Sequence, residues 1–117
     1  MNKPAIVLGF VSLFAASTAH ASDPGCPGRA SDPLLSIELF DGLVADNVVL
    51  APDQSSGSAT RGKAVWQVSS VYKEGRTLTI ACRYRSSEKP LMIEIKQKVS
   101  TCTQQLDMKT GGTFTCK

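Results

Sequence analysis

Four cysteines, Cys26, Cys82, Cys102 and Cys116, set the tightest limit on how this chain of 117 residues folds. An even number in a short exported chain reads as two disulfides, and these supply stability that a small core lacks. A metal site is the weaker reading: there is no C-x-x-C pair, and the one histidine, His20, falls in a segment expected to be removed. No cofactor is expected.

That segment is MNKPAIVLGFVSLFAASTAHA. Lys3 supplies the positive start, Ala5 to Ala16 an apolar stretch, and Ala19-His20-Ala21 a small-x-small cleavage site, the layout of a secretory signal peptide. The apolar stretch is shorter than the roughly 20 residues a permanent bilayer span needs. Cys26 follows Asp-Pro-Gly and lacks the aliphatic residue upstream that a lipoprotein site requires. The expectation is therefore a signal peptide over 1–21 and one disulfide-stapled β domain over 22–117, soluble in the periplasm, with no membrane insertion.

Loss of His20 excludes Ser-His-Asp and Cys-His catalysis from the mature chain. Its ten acids leave paired-carboxylate chemistry formally open, but scattered as they are they read as a solvating surface, and no enzyme is expected. Charge is unevenly distributed: residues 22–60 carry net −5 and residues 61–117 net +7. The two halves either neutralise each other on folding or present a surface to an acidic partner.

Period-2 alternation dominates the pattern and predicts a mainly β fold, a small antiparallel sheet or sandwich. Leu34–Phe40 reads as a first strand with Leu35, Ile37 and Leu39 on an apolar face. After the Asp41-Gly42 turn, LVADNVVLAP allows a short helix or a brief strand at Val48-Val49-Leu50. Residues 52–63, PDQSSGSATRGK, read as a mobile loop by composition. Three strand patterns follow, with Trp66, Val68, Ser70 and Tyr72 on one face of the first. Leu78, Ile80, Cys82 and Tyr84 face inward on the second, and Leu91, Ile93 and Ile95 on the third.

Taking Lys73-Glu74-Gly75 as a three-residue hairpin loop places Val68 opposite Ile80 and Trp66 opposite Cys82. The longer turn over 86–90 brings Tyr84 to Leu91 or Ile93, and Cys82 to Ile93 or Ile95. A reversal centred near Lys109 sets Gln104 opposite Phe114 and Cys102 opposite Cys116. The expected bridges are therefore Cys102–Cys116 and Cys26–Cys82, with Trp66 buried against Cys82, Ile80 and Tyr84.

The outward positions of these strands set Arg83, Arg85, Lys96 and Lys98 side by side as a basic patch. Arg61 and Lys63 belong to the polar segment Asp53 to Lys63, which is expected to enter a partner's cleft. These six residues are the candidate partner-binding set. With so few aromatics and an exported address, a protein partner is expected and nucleic acid is not.

The order Cys26-Pro27, Leu39-Phe40-Asp41-Gly42, Leu50-Ala51-Pro52-Asp53, a lone Trp66, Cys82-Arg83-Tyr84 and Val99-Ser100-Thr101-Cys102 spans nearly the whole mature chain. In that order the chain resembles a group of small exported proteins of enterobacteria and related proteobacteria linked to type VI secretion loci. The resemblance implies a periplasmic immunity protein that binds a toxin or effector enzyme delivered by sister cells, commonly one that attacks peptidoglycan. Two other classes fit the same domain: a periplasmic lysozyme inhibitor and a structural accessory of the envelope. Ser58-Ala59-Thr60-Arg61-Gly62 only faintly echoes the loop that lysozyme inhibitors use.

Overall fold

The computed structural model describes residues 23–117; the expected leader lies outside the described residues. Seven strands form two antiparallel sheets. One has the order β1 (Leu34–Asp41), β4 (Leu78–Tyr84), β5 (Leu91–Ile95). The other has the order β2 (Gln54–Gly57), β3 (Arg61–Gln67), β6 (Thr101–Asp107), β7 (Thr113–Cys116). A short helix, α1 (Ser69–Lys73), links β3 to β4, and a 3₁₀ turn spans Val44–Asp46.

The core lies between the sheets. Leu39, Leu78, Ile80, Cys82 and Tyr84 from the three-stranded sheet meet Trp66, Cys102, Phe114 and Cys116 from the four-stranded one. Along β4 the expected inward face is buried. In β1 a bulge between Leu34 and Ser36 changes the parity. Leu35 becomes the extra residue, so Leu34 rather than Leu35 joins Ile37 and Leu39 on the core face, opposite Tyr84.

Both disulfides match the cysteine reading: Cys26–Cys82, with Cα atoms 5.9 Å apart, and Cys102–Cys116, with Cα atoms 4.0 Å apart. The β6–β7 register is also as expected, with Cys102 opposite Cys116 and Gln104 opposite Phe114. Asp107 closes this turn by accepting hydrogen bonds from the Lys109 and Thr110 N–H groups at 2.9 and 3.2 Å.

Three expectations are corrected. The segment over 52–63 is not a loop: β2 pairs with β3 from Gln54↔Val65 to Gly57↔Gly62. All four β2 residues are exposed, so the strand carries no apolar alternation to betray it. The Trp66-to-Tyr72 strand ends at Gln67 and turns into α1. Gly75, at φ +79°, is the left-handed C-terminal residue of that helix, not the glycine of a hairpin. Its N–H donates to the Tyr72 carbonyl and that of Arg76 to the Val71 carbonyl, the paired bonds of a Schellman cap. The helix carries the chain from one sheet to the other, so Trp66 pairs with Cys102, not Cys82.

The third correction concerns β4–β5, where Cys82 faces Leu91 rather than Ile93 or Ile95. Beyond Cys82 the chain bonds elsewhere: Tyr84 pairs with Leu34, the Arg85 N–H donates to the Pro33 carbonyl and the Ser86 N–H to Asp32 Oδ1. This capture by residues 32–34 lengthens the connection and brings Cys82 to Leu91, two residues short of Ile93 and four short of Ile95.

Trp66 is buried, donates its indole N–H to the Leu50 carbonyl at 3.1 Å, and meets Phe114 edge-to-face at 5.9 Å between centroids. Trp66→Ala therefore leaves a cavity between the sheets and an unpaired Leu50 carbonyl. Urea denaturation will show a loss of about 3–5 kcal/mol; a loss below about 1 kcal/mol would contradict this packing.

Candidate interaction surface

β3 brings Arg61 and Lys63 together. They alternate with Gly62 and Ala64, and the β3–β6 register sets them outward beside Asp107 and Gln105. They border an open groove of about 380 Å³ whose other walls include Ser56, Asp107, Thr110 and Thr113. Glycine permits the close approach of β2 to β3 beside the groove, because a Cβ on Gly62 would press to 2.7 Å from the Ser56 carbonyl oxygen. Asp107 sits below the usual carboxylate range, chiefly because the Thr110 and Lys109 N–H groups bond it, with a smaller contribution from the Arg61 charge. Around Val65 the rest of this face is hydroxyl and amide: Gln54, Thr103, Gln105, Thr113 and Thr115 share it by register.

The other four bases do not form one patch. Arg83 donates to Glu38 Oε1 at 3.0 and 3.1 Å across β1 and β4, which offsets its charge. Arg85 reaches the Met108 carbonyl at 3.2 Å, toward the other sheet. Lys96 follows the last residue of β5, past the Leu78↔Ile95 pair, whereas Arg83 lies past the opposite end at Cys82↔Leu91. Roughly 20 Å of strand separates these two levels. Lys98 stands in the β5–β6 connection, on a shallow depression shared with Tyr72 and Lys73. The side-by-side arrangement fails because it assumed that β5 continued as a strand through Lys98.

A further surface was not legible as such. Between β1 and β2 the chain exposes Leu43 (69%), Val44 (42%), Val48 (47%) and Val49 (49%). This loop is pinned at both ends: the Gly42 N–H donates to the Thr77 carbonyl, the Asp41 N–H to Val48, and the Leu50 N–H to Leu39. Val49 bridges Phe40, so both readings of this stretch hold in part: a 3₁₀ turn, then a brief strand-like pairing. The Thr79 hydroxyl donates to the Gly42 carbonyl at 2.9 Å, which leaves Thr79 buried on the outer side of β4. Four branched apolar residues beside a turn were the available signal, but residue type alone does not report exposure.

Among the described residues no cluster of His, Cys, Asp or Glu is placed to hold a metal ion, and no helix is long and apolar enough to cross a membrane. The architecture defines a small, doubly disulfide-bonded two-sheet β protein with a polar groove on one sheet and an apolar loop beside the other. The family model for the type VI secretion system Tli immunity protein matches residues 29–117, and the chain belongs to that family. No curated protein and no solved structure matches it.

Arg76 anchors the loop's base by donating to Asp41 at 2.6 and 3.0 Å and to Glu74 at 2.8 Å. Hydrogen bonding from Arg76, then its charge, holds the Asp41 carboxyl below the usual range against the opposing effect of burial. A folded-state pKa below the unfolded value of about 3.9 gives stability that is present above that pH and lost as pH falls through the folded value. Asp41→Asn will therefore lower the urea midpoint near pH 6 and narrow its difference from the parent below about pH 4. An equal difference at both pH values would show that the pair contributes no pH dependence.

Proposed function

We propose that the chain is a periplasmic immunity protein, released as a single domain over 22–117, that neutralises a type VI secretion toxin by stoichiometric binding and has no catalysis of its own. Membership of the immunity family over residues 29–117 carries this reading. Its two disulfides support an oxidising compartment, since such bonds persist there and are rare in reducing cytosol. Binding requires only a complementary surface, and a domain of this size has room for an interface of about 800 Å² on its side. The toxin we propose is a peptidoglycan-degrading enzyme, because peptidoglycan is the covalent polymer exposed in that compartment. Arg61 and Lys63 supply local positive charge that speeds encounter with an acidic surface.

Deletion of the gene, followed by competition against the parent strain with an active secretion system, tests the reading. The deletion strain will lyse only when the parent carries the toxin gene beside the immunity gene, and export of the intact chain will restore survival. Survival without the gene overturns the immunity assignment. Release of fatty acids from the lysing cells, with peptidoglycan fragments unchanged, overturns the peptidoglycan target alone.

A further inference from the structure

We propose that the Leu43–Val49 loop is the anchor by which the protein holds its toxin, seating its apolar side chains in an apolar-walled cleft with a basic rim. The inference rests on the immunity reading and names the surface that performs it. Four large apolar side chains lie within seven residues, all at least 42% exposed, and Leu43 reaches 69%. Such a group has no role in the core, and contiguous exposed apolar surface of this kind marks contact with another molecule.

The loop is also held in place before any partner arrives. Backbone bonds close it at Asp41–Val48 and Leu39–Leu50, the Asp46 and Asn47 N–H groups bond back to Leu43 and Val44, and Asn47 takes a left-handed conformation at φ 52°. Arg76 fixes its base through Asp41. An ordered apolar protrusion loses little conformational freedom on binding, which is what a tight inhibitor requires. Through its bridge to Phe40, Val49 lies on the outer face of the three-stranded sheet, the face that also carries exposed Met92.

Charge selects the occupant. Residues 41–60 hold three acids and no base; Arg76 pairs with Asp41 and Asp53 accepts from the Gln67 N–H on the other sheet, which leaves Asp46 as the charge the loop itself presents. Asp46, within the loop, makes no ion pair among the described residues. On the adjoining outer face Arg83 pairs with Glu38, whereas Glu94 makes no ion pair among the described residues. Apolar residues accompanied by the unpaired carboxylates of Asp46 and Glu94 fit a cleft rimmed by Lys or Arg, not a second copy of the same loop.

The test measures binding of the purified full-length mature protein to the purified toxin encoded beside its gene, comparing Leu43→Asp, Val48→Asp and Lys63→Glu with the parent. Both loop variants are expected to keep the parent's thermal midpoint and to weaken binding by about 30-fold or more, mainly through faster dissociation. Lys63→Glu is expected to alter the association rate without that loss. Parental affinity in both loop variants overturns the proposal while leaving the immunity reading intact. Concentration-dependent dimerisation that Leu43→Asp abolishes overturns it in favour of a self-interface. Failure of the unaltered protein to bind overturns the immunity reading, and this proposal with it.

Discussion

The Cys26–Cys82 disulfide joins parts of the molecule that nothing else joins covalently across the sandwich. On one side of Cys26 the N-terminal arm adds to the edge of β7: the Cys116 N–H donates to the Pro24 carbonyl at 2.7 Å and the Cys26 N–H to Phe114 at 3.1 Å. On the other side the sulfur enters β4, the central strand of the opposite sheet. The arm thus covers an exposed edge of one sheet while it is bolted to the middle of the other. Tyr84 secures the same arm from β4, donating its hydroxyl to the Pro27 carbonyl, and Arg29 lies over its ring at 3.8 Å.

Chain-entropy reasoning ranks the two bridges. Cys26–Cys82 closes a separation of 56 residues and Cys102–Cys116 one of 14, which correspond to about 4 and 3 kcal/mol. Against a total of about 5–15 kcal/mol for a domain of this size, either is a large share. The shorter bridge fixes a hairpin already favoured by its turn. The longer one sets the relation between the sheets, and with it the gap that Trp66 and Phe114 fill.

Sequence and structure agree wherever local pattern determines the answer. The β6–β7 register was readable because a turn near Lys109 leaves its two cysteines in step, and β4 because four alternating residues are all buried. Where the deciding partner is distant, pattern failed. Gly75 has the same left-handed conformation in a hairpin loop and in a helix cap, and only the bond from the Arg76 N–H to Val71 separates them. From that one ambiguity followed the wrong neighbour for Trp66. Among the candidate partner-binding residues, Arg61 and Lys63 are adjacent because they sit two apart on one strand. The grouping of Arg83 with Lys96 depended on a register set by residues 32–34. The apolar loop was hidden for a related reason, since its valines would look the same in a core strand.

The pairing of the four cysteines has a consequence for how the molecule matures. First joins second and third joins fourth in chain order. A dithiol oxidase that links cysteines in the order in which they occur along the chain would make the native set directly. On that route no wrong bond has to be broken by an isomerase. Maturation by that route would be limited by oxidation and folding rather than by the seconds to hours that disulfide reshuffling takes.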